Sequence, residues 1–559
     1  MMTPFAIRSA EHAASYYEQS DHADYYAKDD SCPSVWVGKG AELLGIKGQI
    51  AEKDRFKRYL EGDIAGQKLG TMRAGKLTHK PAFDLTFSPP KSVSLIALVG
   101  EDERVIAAHE ESIEEALSYV EERAIYKRKH TVDSFGRSKI EQVKTGNLVA
   151  GVFRHETSRA DSNNKISPQL HSHAVVMNAT CDENGNWRSI ESRHIWCLQK
   201  EIGLRYRQQL ASKLVAMGYQ IERRPDGNFE VSGVPQNVCN AFSLRRDTID
   251  AELEKRGYTR ESAPAYLKEQ IAHRVREKKV HVDRDDLKLQ WEQTESELGF
   301  DSKKVVKQSI HQASDSLYSE IKLDHEFENL KRVTDLSIKS LSERESVFSK
   351  DELINQINQQ AVGFGISAEQ VSRYINQLES EERLIQREAE VYLSQFQERR
   401  TVAAYTTPEL IELEKSLIEF VYQGVNMYQS EFSERDIESV VNRANQEIIE
   451  LGYDGWNTEQ KTVARGLLSS NDQVTAIEGL AGTAKTSTVV KTLANAYRQC
   501  GYEVVGMAPS SSACESLRQG AGLDEARTVA SHLLQLKVKK SESKKQNKSD
   551  LIFWLSKSI

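Results

Sequence analysis

Pro168-Gln169-Leu170-His171-Ser172-His173-Ala174-Val175-Val176-Met177-Asn178 is the stretch that decides how the N-terminal half of this chain is read. An apolar run from Ala174 to Met177, bounded by polar residues, predicts a strand. Residues two apart on a strand project to one face, so His171 and His173 stand side by side. Two imidazoles on one rigid strand make a pair of metal ligands, which a third His usually completes. The other reading is a strand with two satisfied or exposed histidines. Working outward, His155 could supply the third imidazole: it follows a strand-like segment from Lys139 to Phe153. The polar segment 160–167 between it and His171 reads as a surface loop. Further upstream, Phe83-Asp84-Leu85-Thr86-Phe87 alternates as a strand and is closed by Ser88-Pro89-Pro90. Asp84 inside that alternation is either an exposed-face residue or a buried partner for a His.

Residues 3–8 predict a short strand, with a helix from about Ala10. Two tyrosine doublets follow, Tyr16-Tyr17 and Tyr25-Tyr26. With only 20 tyrosines in 559 residues, two adjacent pairs so close together are not expected by chance. They are either aromatic packing of an N-terminal helix or a pool of phenol nucleophiles. A phenol of pKa near 10 is ionised to about one part in a thousand at pH 7, so as a nucleophile it needs a base or a metal-activated electrophile. Trp36-Val-Gly-Lys-Gly40 is a glycine-flanked turn in which Lys39 either touches a phosphate or simply turns the chain.

The length predicts three or four domains. Hydrophobic content of 39% and charged content of 28% place the chain in the soluble globular class. A net charge of −8 gives no global basic field, so any nucleic-acid surface must be local. The six scattered cysteines contain no C-x-x-C pair, which argues for a reducing compartment and against a zinc ribbon. Neither a signal peptide nor a run of the roughly 20 apolar residues of a membrane span is legible, so a cytoplasmic protein without membrane insertion is expected.

Beyond the opening region, a helix is predicted from about Asp102 to Ala124. A hairpin turn follows at Glu183-Asn184-Gly185-Asn186, and mainly helical structure runs from Ser192 to Leu298. Residues 301–345 read as a helical connector. Residues 346–450 read as a helical, winged-helix-like module with a turn at Gly363-Phe-Gly365. In the last part, 451–559, Gln473 to Glu478 predicts a strand. The loop Gly479-Leu-Ala-Gly-Thr-Ala-Lys485-Thr486 comes next, then a helix to about Cys500 and a second strand over Glu503 to Ala508. The loop matches G-x-x-x-x-G-K-[ST] except that Ala484 replaces the last glycine. Its backbone N–H groups, from Gly479 through Gly482 and Thr483, would cradle phosphates. Lys485 would reach the β/γ oxygens and Thr486 would hold Mg²⁺. If Ala484 needs a positive φ, the substitution costs on the order of 1 kcal/mol. No strand ending in an acidic metal-holding residue is legible after Ala508, so an incomplete α/β P-loop domain is expected.

These motifs together resemble the relaxase–helicases of conjugative plasmids, the MobF or TraI/TrwC type. The resemblance rests on Ala-Ser-Tyr-Tyr with its second Tyr-Tyr, Trp36-x-Gly-Lys-Gly-Ala-Glu-x-Leu-Gly45, and Asp84-Leu-Thr-Phe-Ser-x-Pro-Lys-Ser-Val-Ser. Thr145-Gly-Asn-Leu-Val, His155-Glu-Thr-Ser-Arg and Pro168-Gln-Leu-His-Ser-His-Ala-Val extend it through residues 1–300. The segment 456–559 resembles the opening of a superfamily 1 helicase. The resemblance implies an α+β relaxase domain over 1–300, an antiparallel HUH-endonuclease-like sheet with helices and a helical fingers subdomain. It implies a metal triad at His155, His171 and His173, an active-site Asp84, and nucleophiles in the doublets, Tyr16 first and Tyr25 second. It also implies Mg²⁺ or Mn²⁺ (another transition metal on ligand softness), single-stranded or supercoiled origin-of-transfer DNA, relaxosome accessory proteins and a secretion coupling protein. The loop between His155 and His171 is longer than the family pattern leads one to expect. The competing readings are an ATP-driven translocase whose N-terminal part only binds DNA, and a metal-binding protein without catalysis.

Overall fold

The computed structural model describes residues 2–7, 34–73, 76–132, 136–158, 165–224, 227–260, 262–274, 284–314, 316–393, 398–479, 483–542 and 551–554. The four tyrosines of the doublets and Gly482 lie outside the described residues. The chain forms two compact units, 1–408 and 409–559, and the boundaries read from sequence at 300 and 345 fall inside the first. Among the described residues no helix is long and apolar enough to cross a membrane.

The first unit is built on an antiparallel sheet of five strands: β1 (Met2–Ile7), β2 (Ser34–Val37), β3 (Ala82–Phe87), β4 (Ala150–Thr157) and β5 (Pro168–Met177). Their order is β1-β3-β5-β4-β2, which puts the His171/His173 strand in the middle. The period of two works on both faces of β5. Leu170, Ala174 and Val176 enter a core closed by three helices, α1 (Lys91–Leu98), α2 (Glu103–Ala124) and α3 (Gln199–Ala216). On the other face, Val175 and Met177 lie under Trp36, Phe56, Tyr59 and Leu60. Gln169, His171 and His173 continue that second face beyond this apolar cover and are half-buried. The asymmetry of the cover is what leaves a polar site on an otherwise buried sheet.

Two local expectations are corrected, and one stretch left open is described more closely. Lys139 to Phe153 is not one strand. Ser138–Lys144 pairs with Tyr126–Val132 as a two-stranded ribbon, and β4 begins only at Ala150. Gly146, at φ +67°, breaks the run. The side chain of Asn147 then holds the break closed by accepting from Cys181 N–H at 2.8 Å. Second, the helical stretch after Ser192 contains a hairpin, Ile221–Arg223 against Phe229–Val231, whose Phe229 and Val231 enter the main core. The turn at Trp36–Gly40, open between a phosphate contact and a plain turn, is closely packed. A Cβ on Gly38 (φ +101°) would stand 2.4 Å from the Leu148 carbonyl oxygen, and the buried Glu121 carboxylate accepts from the N–H groups of both Lys39 and Leu148.

Still within the first unit, α4 (Ser302–Ser314) packs Val305 and Val306 against the core. There follow α5 (Ser316–Ser342), β6 (Phe348–Ser349), α6 (Lys350–Ala361), α7 (Ala368–Ser380), β7 (Ile385–Leu393) and β8 (Glu398–Thr406), with sheet order β6-β8-β7. The expected turn at 363–365 is present and is the seam with the sheet domain. Ser212 Oγ donates to the Gly365 carbonyl at 2.9 Å. A Cβ on Gly363 (φ +84°) would come within 2.9 Å of Ile221.

In the second unit, parallel strands β10 (Glu525–Thr528) and β11 (Leu551–Trp554) flank β9 (Val504–Ala508). The strand expected over 473–478 is not formed among the described residues. Both edges of β9 are filled by β10 and β11, and Gln473 N–H instead donates to the Gly424 carbonyl at 2.8 Å. A strand with no ladder has nothing to hold its backbone groups.

Candidate metal centre

Strand pairing, and not sequence proximity, assembles the imidazoles. In the β4–β5 register His155 stands directly opposite His171, and Phe153 opposite His173. With His173 two residues on, the three rings form a near-equilateral triangle with centroid separations of 5.3, 5.3 and 5.4 Å. A nitrogen about 2.1 Å from an ion places its ring centre about 3.2 Å away, and two such rings at a tetrahedral angle lie about 5.2 Å apart. The ring spacing is thus the one that three ligands of a single cation would show. Among the described residues no group of three or more His, Cys, Asp or Glu has its donor atoms set to hold a metal ion as the side chains stand, so it is the ring spacing that makes this triad the candidate.

Hydrogen bonds set which nitrogens face inward. His171 Nδ1 lies 2.9 Å from the Gln169 carbonyl, which can only accept, so Nδ1 carries the proton and Nε2 the lone pair. Burial, helped by His173 two residues along the same strand, pushes the His171 pKa down to about 4, so it is neutral at pH 7. His173 Nδ1 lies 2.7 Å from Asp84 Oδ2, which fixes the same tautomer there. Asp84 thus resolves as the buried partner of a His. In the β3–β5 register it sits opposite Val175, one step diagonal to His173, while Thr86 is directly opposite His173. Thr86 Oγ1 donates to Asp84 Oδ1 at 3.3 Å and stands 3.2 Å from His173 Nδ1. Thr86 escaped the sequence reading, although its place two residues after Asp84 put both on one face.

Two further groups brace the strand. On the site face, Lys91 at the start of α1 donates to the Pro168 carbonyl and to Gln169 Oε1, both at 2.9 Å. On the core face, Ser172 Oγ meets His109 Nε2 at 2.9 Å, and His109 Nδ1 meets Tyr206 OH at 2.7 Å. All three residues of that chain are fully buried. Elsewhere on the unit, the ribbon Tyr126–Val132/Ser138–Lys144 gathers several basic side chains. Lys127 anchors it through Asp182 (3.2 Å) and Glu183, while Lys129, His130, Lys139 and Lys144 face solvent.

In the second unit, Gly479, Thr483 and Lys485 of the phosphate-loop motif come together without a strand before them among the described residues. Lys485 Nζ folds back onto the Gly479 carbonyl and lies 3.3 Å from Thr483 Oγ1. Gln460 Nε2 donates to the Thr483 carbonyl at 3.3 Å. Thr486 opens a π-helical turn, Thr486–Val490, a geometry often met at functional sites. Ala484 adopts φ +57°, the conformation that favours glycine. Ala484→Gly should therefore stabilise the second unit by up to about 1 kcal/mol. Urea unfolding of the parent and variant measures this, and an unchanged or lower midpoint would rule out a strained loop.

An antiparallel sheet that presents a histidine triangle backed by a carboxylate defines a histidine-triad centre. The sequence model described as TrwC relaxase matches residues 10–298, and the chain belongs to that family. A model described as an AAA domain matches 455–553. The multifunctional conjugation protein TraI of Escherichia coli K12 is 38% identical over 312 residues, a match covering 54% of this chain and 16% of TraI. A second TraI from Escherichia coli is 36% identical over 312 residues. The chain thus spans about a sixth of the length of the curated relatives it matches. A metal-bound structure of the conjugative relaxase TrwC in complex with oriT DNA is 36% identical, with a TM-score of 0.47, covering 54% of this chain and all of that one.

Proposed function

We propose that this chain is a conjugative relaxase: a site- and strand-specific DNA transesterase that nicks plasmid origin-of-transfer DNA. The observation that carries the reading is the triangle of His155, His171 and His173 with Asp84 locked onto His173, in a member of the TrwC relaxase family. Its relatives, the conjugation protein TraI and the relaxase TrwC solved with oriT DNA, support the choice of substrate. The basic ribbon supplies a local surface for phosphates.

His155, His171 and His173 would hold one divalent cation, Mg²⁺ or Mn²⁺ or another transition metal, which when bound supplies positive charge against the scissile phosphate. Asp84 acts as a positioning residue that keeps the His173 lone pair aimed inward. The first nucleophile is Tyr16, with Tyr17 as its neighbour, and Tyr25 with Tyr26 forms the second pair. The phenol oxygen bonds to phosphorus as the P–O3′ bond breaks, leaving a 5′-phosphotyrosyl link. The released 3′ oxygen takes up the proton that the phenol gave up. One phosphoester replaces another, so the step is reversible and needs no ATP, and the second tyrosine pair can religate the strand after transfer. Relaxosome accessory proteins and a secretion coupling protein are the partners this role implies.

The domain scheme that goes with the role is a relaxase domain over 1–300, a connector, a winged-helix-like module and a P-loop region from 451. Gly479, Gly482, Thr483, Lys485 and Thr486 would bind ATP, as the AAA-domain match favours. Incubating the protein with an origin-derived single-stranded oligonucleotide and a divalent ion should yield a covalent adduct that maps to Tyr16. Tyr16→Phe should abolish that first adduct; an undiminished yield would place the nucleophile elsewhere.

A further inference from the structure

Within the first unit, a polar cavity of about 500 Å³ opens between the hairpin Ile221–Arg223/Phe229–Val231 and α6, lined by Arg223, Arg224, Gly227, Gln356, Gln359 and Gln360. The three glutamines recur at i, i+3 and i+4, so one helix face presents three amides to two guanidiniums. Among the described residues no carboxylate lines the cavity. The nearby Glu230 is already engaged: it pairs with Arg224 at 3.1 Å and accepts from Ser92 Oγ at 2.5 Å and Ser92 N–H at 3.2 Å. Among the described residues Arg223 has no such anion. Its guanidinium lies 4.9 Å from the Phe364 ring, it donates to the Gln359 carbonyl at 3.4 Å, and Arg332 stands 5.4 Å from the same ring. Two like charges therefore share one aromatic ring at the rim of a cavity rich in donors.

We propose that this cavity is a second contact point for the DNA strand, in which Arg223 holds a backbone phosphate while the glutamine amides donate to phosphate or sugar oxygens. Guanidinium with amide donors is the chemistry of phosphodiester recognition. The cleft is open to solvent rather than closed around a single small anion, which favours a chain lying across it. A line of contacts also joins the cavity to the metal centre. Arg224 holds Glu230, Glu230 holds Ser92, and the adjacent Lys91 holds Gln169, whose carbonyl fixes His171. The site would thus grip the strand at the seam between the sheet domain and the 348–406 module. This inference rests on the DNA-processing reading and adds to it a contact outside the triad.

The test is fluorescence anisotropy of a labelled single-stranded origin oligonucleotide, titrated with the full chain over a salt series. Arg223→Ala/Gln359→Ala should weaken binding roughly three- to tenfold and flatten the slope of log K against log salt by about 0.7 for each phosphate no longer neutralised. Arg223→Lys, which keeps the charge, should preserve the slope. Melting curves confirm that both variants fold, and Mn²⁺ binding should match the parent. A parent-like slope in the alanine variant overturns the proposal, as does an equally flattened slope in the lysine variant. So does an effect confined to inorganic phosphate used as a competitor. If the parent itself does not bind the oligonucleotide, the DNA-processing reading fails with it, an outcome distinct from a parent that binds and a variant that binds alike.

Discussion

His171→Ala is expected to reduce metal-dependent adduct formation by about a thousandfold or more and to weaken Mn²⁺ binding in parallel. Geometry gives the reason. His171 is opposite His155 and two residues from His173, so it is the corner that both other rings share a strand pair or a strand with. Its Nε2 is committed inward by the Gln169 carbonyl, and its low pKa means that no proton need leave it when a cation binds at pH 7. Removing it deletes a ligand outright. Several kcal/mol of charge stabilisation against the phosphate then go missing, and about 4 kcal/mol is a thousandfold in rate. Asp84→Asn should cost less, roughly 10- to 100-fold, because His173 remains but its tautomer and aim are no longer enforced. Calorimetric Mn²⁺ titration and gel assay of the adduct measure both quantities. The assignment fails if His171→Ala keeps parental metal affinity and forms adduct within tenfold of the parent.

The ease with which this centre could be read from sequence follows from how each part is encoded. His171 and His173 are local: a period of two on one strand places both on one face, and the structure keeps them there. Asp84 is less local. Its presence inside an apolar alternation marked it as either exposed or a partner, and only the β3–β5 register, across roughly 90 residues of chain, makes it the partner of His173. Thr86 follows from the same register, and no pattern within its own strand distinguishes it from any strand threonine. Lys91, Ser172 and His109 are invisible for the same reason, since what gives each a role is a contact made across layers. The misreadings have a matching cause. Gly146 splits a run that reads as one strand, and the segment 473–478 has the composition of a strand but no partner to pair with among the described residues. Composition names candidates, whereas pairing decides among them.

Acidification should unfold the first unit through the core side of the same strand. His109 is fully buried between Tyr206 OH and Ser172 Oγ, and burial foremost, with the charge of His171 next, pushes its pKa down from 6.5 to about 3. The folded form keeps it neutral, because a charged imidazole there would have no water and no anion to meet. In the unfolded chain the same group takes up a proton below about pH 6.5. The unfolded state therefore binds more protons between the two values, and linkage makes stability fall as pH falls. The contribution is complete above pH 6.5, declines by about 1.4 kcal/mol per pH unit below it, and is lost once pH passes about 3, a total on the order of 5 kcal/mol. Carboxylates titrate mostly below pH 5, so the window from 6.5 to 5 isolates the imidazoles. His109→Gln keeps a polar side chain between Tyr206 and Ser172 but cannot protonate. Urea unfolding followed through the first unit at pH 7, 6 and 5 should show a slope smaller in this variant by about one proton's worth, whatever its absolute stability. Equal slopes in the two proteins would mean that His109 is already protonated in the fold, and that Ser172 is not held in place by a neutral imidazole.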